Sequence, residues 1–173
     1  MGFSIGDKVM HPKFGAGQIT GEEHRELVGG FKHYYVIKVL GRQATAYVPV
    51  SKMDELGVRL VMSLGNLGRV LGILRSVPSA LSNDHKERQA RVQEQLGTRL
   101  PIPVAEAVRD LTWRRKLKHL TPKDTALLNH GRERLAAEMA LATDADVLEA
   151  HEMIDGTLSA ALARGFDELE AVS

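Results

Sequence analysis

Between residues 7 and 50 short apolar runs alternate with glycine-rich breaks, and the last of them, over 44–50, alternates residue by residue. That two-residue period is the mark of half-buried strands. Residues 7–11 read as a strand ended by Pro12. Residues 14–17, Phe-Gly-Ala-Gly, read as a turn, because glycine reaches positive φ at little cost. A second strand is expected over 18–27, a hairpin turn at Gly29-Gly30, and a third strand over 31–40, turned by Gly41-Arg42. The fourth, over 44–50, sets Thr45, Tyr47 and Pro49 on one face against Ala46, Val48 and Val50 on the other. Pro49 cannot donate to a ladder, which places this part at an edge or a strand end. Four or five such strands predict a small, strongly bent sheet or half-open barrel around Val9, Ile19, Val36 and Val48.

Near residue 60 the period changes to that of helices. Leu64, Leu67, Leu71 and Leu74 recur at three- and four-residue spacing and mark one buried face. Residues 76–79, Ser-Val-Pro-Ser, break it. Ser82 or Asn83 is expected to cap a second helix with Val92 and Leu96 inward and Gly97 at its end. Pro103 suits a first helical position for a third, with Val104, Val108 and Leu111 inward. Thr121-Pro122 opens a fourth, lined by Leu128, Leu135, Met139 and Ala142. Thr143 is expected to cap a fifth, with Asp144 and Asp146 in its first turn. Its stripe of Val147, Ala150, Ile154, Leu158 and Leu162 is expected to stop at Gly165, leaving a frayed tail over 166–173. The fold class is α+β: a β-domain over 1–60 and a bundle of about five helices over 61–173.

Composition narrows the chemistry. With 43% hydrophobic and 26% charged residues in 173, a folded core is expected. The absence of cysteine excludes disulfides, thiolate metal sites and a cysteine nucleophile, and fits a reducing cytoplasm. No apolar run approaches the ~20 residues of a membrane span, and the N-terminus has no signal-peptide pattern. The seven histidines offer no HxxxH or HExxH, so no metal or other cofactor is expected. No GxSxG and no nucleophile–base pairing is visible, so catalysis is not expected. Net charge is only +1, but residues 84–123 hold ten Lys/Arg against five Asp/Glu, and residues 124–173 three against eleven. Arg114, Arg115, Lys116 and Lys118 crowd into five positions, where they spread around more than half a helix circumference.

The runs GDKVMHPKFGAG, KHYYVIKV, AYVPV and LGVR together resemble the polymerase-interacting module of the CarD/CdnL family of bacterial transcription regulators, which is shared with transcription-repair coupling factors. VAEAVRDL and the segment RRKLKHLTPKDTALLNHGRERLAAEMALA resemble that family's helical domain. The resemblance implies a Tudor-like barrel that pairs sheet edges with the RNA polymerase β subunit, with Arg25 and Tyr47 at contact positions. It implies a helical domain on upstream promoter DNA, with a tryptophan wedge near the start of its second helix. That place falls at His85, or at Asp84 if the helix slips by one residue. The only tryptophan, Trp113, lies elsewhere and reads as a helix-packing residue. The expected DNA contacts are His85, Arg88, Arg91, Arg114, Arg115 and Lys118, binding weakly and largely without sequence preference. The expected protein is a monomeric, cytoplasmic, CarD-like regulator of open-complex stability. The alternative is a polymerase-binding adaptor or paralogue without promoter-opening activity.

Overall fold

The computed structural model describes residues 2–26, 29–30 and 32–171, with side chains followed to residue 165. Five strands, β1 (Lys8–His11), β2 (Gly15–His24), β3 (His33–Val39), β4 (Thr45–Pro49) and β5 (Arg59–Leu60), form one antiparallel sheet in the order β4-β3-β2-β1-β5. Five helices follow: α1 (Leu64–Arg75), α2 (His85–Gly97), α3 (Pro101–Leu117), α4 (Pro122–Thr143) and α5 (Val147–Ala171). The architecture is the expected α+β.

The strands differ from the sequence reading in two respects. Residues 15–17 belong to β2 rather than to a turn, and the reversal lies at 12–14. There the buried His11 ring accepts hydrogen bonds from the Lys13 and Phe14 N–H groups through Nδ1, and Gly15, at φ 82°, supplies the positive φ that turns the chain into β2. Gly17 is needed for closeness: a Cβ there would meet Ile37 Cγ2 at 2.7 Å and the Lys38 carbonyl oxygen at 2.8 Å. The second difference is Val36, which is only half-buried and stands opposite Tyr47 on the outer face. Strand β3 alternates regularly, so with Tyr35, Ile37 and Val39 turned inward Val36 must face the other way. The core on the other face holds Val9, Ile19, Tyr35, Ile37, Val39, Ala46 and Val48. Positions 27, 28 and 31, at the ends of the expected second and third strands, lie outside the described residues.

The bundle packs around Leu74, Val92, Val108, Leu128, Leu135, Met139 and Ile154. Leu64, expected inside, is exposed, and Val70 takes its place on the α1 stripe. Several helix boundaries move by short-range chemistry. Asp84, not Ser82 or Asn83, caps α2, accepting from the Lys86 and Glu87 N–H groups at 2.8 and 3.0 Å. Gly97 is still helical, and the left-handed residue after α2 is Arg99 (φ 62°). Pro101 rather than Pro103 opens α3. Thr121 and Asp124 form a capping box at α4. Thr143 ends α4 with its hydroxyl on the Met139 carbonyl, and Asp144 takes the left-handed cap. Asp146 then accepts from the Glu149 N–H at 2.8 Å at the start of α5. Helix α5 runs through Gly165 to Ala171, because a single glycine costs a helix only about 1 kcal/mol.

Sheet and bundle are joined by charge. Arg59 on β5 forks onto Glu138 of α4, with Nη1–Oε1 at 2.6 Å and Nη2–Oε2 at 2.9 Å. Glu138 also accepts from the Met62 N–H at 2.8 Å, and Arg59 Nε donates to the Arg99 carbonyl at 2.7 Å. Within the bundle Arg88 forks onto Asp124, both buried. Burial alone would raise the Asp124 pKa, but hydrogen bonds from Arg88 and Thr121 pull it down to about 2.

Two outcomes follow. Glu138→Ala leaves a largely desolvated guanidinium unpaired and is expected to lower stability by about 3 kcal/mol in urea unfolding. A lowered folded-state pKa gives stability that is complete above the unfolded carboxylate value and is lost as pH falls toward about 2. Asp124→Asn should therefore lose stability at pH 7 and show a flatter pH dependence between about pH 4 and 2 than the wild type.

Candidate functional site

The sheet ends at β4 on one side and at the two-residue β5 on the other, so β4 is its long edge. Its inner side pairs with β3, and the Ala44 carbonyl accepts from the Val39 N–H at 3.1 Å. Successive backbone groups of a strand point to opposite sides, so the even residues 44, 46 and 48 face β3. The N–H and C=O groups of Thr45 and Tyr47 then face outward, and so does the imino nitrogen of Pro49, which has no hydrogen to offer β3. An unpaired run of this kind is a template for another strand. Arg25 and Tyr47, separate in sequence, meet beside it: the Arg25 guanidinium carbon lies 4.5 Å from the Tyr47 ring centroid. Arg25 also pairs with Glu23, so its charge is shared between a carboxylate and an aromatic face.

The second region is the start of α2. His85 is its first residue and is exposed. Hydrogen bonds from the Glu87 and Lys86 N–H groups hold the exposed Asp84 carboxyl below its usual range, so a fixed negative charge sits beside His85. Lys118, just after α3, donates to Asn83 Oδ1 at 2.7 Å and brings the end of α3 to the start of α2. Arg114 lies one turn earlier on the same face as Lys118. Arg91 is exposed, about 9 Å along α2 from His85.

Arg88 departs from the expected set. It is 2% exposed, forked onto Asp124, and its Nη1 donates to the Ser82 and Asn83 carbonyls at 2.9 and 3.2 Å. A side chain spent on holding this loop is not available to a phosphate. Arg115 is exposed but lines a separate groove with Lys116, Arg132 and Asp155. The cation cluster is thereby divided between two faces of α3.

Trp113 is half-buried against α5, where its indole fills the space that a side chain at Gly165 would occupy. The same ring forms part of a cavity of about 310 Å³ between α3 and the loop before α2. Asp110 lines that cavity too. It is 2% exposed, and its Oδ1 accepts from Arg109 Nε and the Ser79 N–H. The sequence reading did not single out Asp110. Its only signal was a charged pair, Arg109-Asp110, inside an otherwise apolar helical run. Among the described residues no group of three or more potential metal-ligating side chains occurs, and no helix is long and apolar enough to cross a membrane.

Sheet and bundle each match a known sequence family. Residues 3–62 match the CarD-like/TRCF RID domain, and residues 69–155 match the CarD C-terminal domain. The chain belongs to the CarD family. It is also similar to a protein of Bacillus subtilis (strain 168) named "Putative transcription factor YdeB", at 29% identity over 137 residues, 79% of this chain and 90% of the relative.

Gly165→Leu is expected to push the indole out of its seat. The expected result is a shift in Trp113 emission and a loss of about 1–3 kcal/mol in stability, as for overpacking elsewhere.

Proposed function

We propose that this protein is a non-catalytic, cytoplasmic transcription regulator that acts as a monomer and holds RNA polymerase through its sheet while its bundle touches upstream promoter DNA. The observation that carries this reading is the open edge of β4, with the Thr45 and Tyr47 backbone turned outward and Arg25 laid over Tyr47. The CarD-like/TRCF RID match over the same residues supports the polymerase β subunit as the partner. A strand of that subunit would extend the sheet. Main-chain bonds would supply affinity, and Arg25 and Tyr47 would tune it.

On the DNA side the proposed contacts are His85, Arg91, Arg114 and Lys118. They are spread along one helix and one helix end, and they suit phosphates rather than base edges. Arg115 would join them only if DNA wrapped onto the second face of α3. A second reading, a polymerase-binding adaptor that does not open promoters, is favoured by one feature. An imidazole flanked by the capped, ionised Asp84 offers little area for wedging between bases.

The polymerase contact is tested with Tyr47→Pro. It removes an outward N–H without touching the β3 ladder, so the fold should persist while capture of the β subunit is lost. Arg25→Glu should weaken capture mainly through the on-rate. Retained capture by Tyr47→Pro would refute strand addition. The DNA contact is tested by fluorescence anisotropy against salt, with affinity falling by about 0.9 log unit per log unit of salt for each phosphate engaged. Arg114→Ala and Lys118→Ala should each reduce that slope by about one. To separate the two readings, open-complex half-life is measured after heparin challenge. If the bundle sits at the bubble edge, His85→Trp should lengthen it.

A further inference from the structure

The cavity between α3 and the loop over residues 78–81 has features that contact with a DNA backbone does not use. Its walls are mostly apolar, from Leu81, Leu117 and the indole of Trp113. Two of its polar groups lack a partner among the described residues. Asp110 Oδ2 is buried and receives no donor, and Arg114 Nε is buried and meets no acceptor. Asp110 and Arg114 are four residues apart on α3 and so share a face. Asp110 itself is held rigidly: Arg109 Nε and the Ser79 N–H both donate to its Oδ1, at 2.8 and 3.0 Å. The Arg109 guanidinium, also buried, balances its charge. Lys118 stands at the rim, tied to Asn83 beside His85.

An acceptor and a donor side by side on an apolar wall suit a flat, polar-edged ring. A volume of 310 Å³ admits such a ring with room to spare. A free ring nucleotide or a peptide side chain could bring similar chemistry. The position decides between them, because the mouth opens next to the helix end proposed for DNA contact and carries Lys118 for a phosphate. We propose that this cavity captures one unpaired DNA base bearing an exocyclic amino group. The base lies against Trp113, its amino group donates to Asp110 Oδ2, and its ring nitrogen or carbonyl accepts from Arg114 Nε. Thymine, which has no amino group, offers Asp110 only its N3–H, set between two carbonyl oxygens that repel the carboxylate, and is disfavoured. This inference rests on the DNA reading given above and adds to it a base preference that phosphate contacts cannot give.

The test uses the full chain, whose single tryptophan is the reporter. Fork-junction duplexes carry one unpaired cytosine, thymine or abasic residue at the junction and are otherwise identical. Trp113 fluorescence should be quenched by the cytosine fork, which should bind about tenfold more tightly than the thymine or abasic forks. In Asp110→Asn an amide can present a donor where the carboxylate offered an acceptor, so the cytosine preference should vanish or pass to thymine. Leu81→Phe, which fills the cavity without touching a polar group, should remove quenching and preference but keep salt-dependent duplex binding. Thermal unfolding checks that both variants are folded. Should Asp110→Asn fail to fold, Leu81→Phe decides alone. Equal affinity and equal quenching for all three forks, with duplex binding intact, overturns base capture and leaves the DNA reading standing. No binding to any fork or duplex at low salt overturns both. Quenching by free cytidine monophosphate as strong as by the fork would make the cavity a nucleotide site and overturn the proposal.

Discussion

The ion pair between Arg59 and Glu138 is the constraint on which the rest of the structure depends. One carboxylate, buried in the middle of α4, receives both arms of a guanidinium from the last strand of the sheet and the N–H of Met62 just beyond it. The same arginine takes the carbonyl of Arg99, a residue in left-handed conformation between α2 and α3. A single cluster therefore fixes where the sheet ends, how α4 lies against it, and how the α2–α3 turn is placed. Such a pair adds little net stability over an apolar contact of the same shape, because both charges lose water. What it supplies is geometry: a hydrophobic patch tolerates sliding, whereas a two-pronged hydrogen-bonded fork has one register.

That register matters because the two proposed contact surfaces sit on different elements. The β4 edge is at one side of the sheet, and the α2 start lies in the bundle. A protein that holds two partners must keep those surfaces at a fixed separation, and Arg59, the sheet's half of the clamp, lies between them in the chain. The bundle repeats the device on a smaller scale. Arg88 and Asp124 tie the start of α2 to the start of α4, and Arg109 with Asp110 ties α3 to the loop before α2 through Ser76 and Ser79. Two buried ion pairs thus position the loop from which His85 emerges and the cavity beside it.

Much of the fold was legible because it depends on local periodicity. The alternation of β4, the stripes of Val104, Val108 and Leu111 or of Leu128, Leu135 and Met139, and the Thr121 cap all involve residues within a turn or two of one another. Errors gathered where a longer-range choice overrode a local preference. Gly165 reads as a stop, but Trp113 from α3 packs where its side chain would be, and α5 continues. Leu64 fits the α1 stripe by spacing, yet no element covers it. Val36 sits in a run that is apolar in both phases, and packing turned Tyr35, Ile37 and Val39 inward instead.

The site divides along the same line. Sequence by itself determined the order of elements, the concentration of cations over 84–123, the resemblance that points to Arg25, Tyr47 and His85, and the absence of a tryptophan at the expected place. Each of these is a property of residue identity and spacing. Tertiary structure alone decided which cations are free. Arg88 and Arg114 look alike in the sequence, but one lies across a buried aspartate from another helix and the other lines a cavity. It also decided that Arg25 meets Tyr47, that the Thr45 and Tyr47 backbone faces outward, and that Asp110 is buried with one oxygen bound and the other not. The reason is physical. Whether a charge is paired depends on which groups the packed chain brings within about 3 Å of it. In the Arg88–Asp124 pair those groups are separated by 36 residues, and in the Arg59–Glu138 pair by 79.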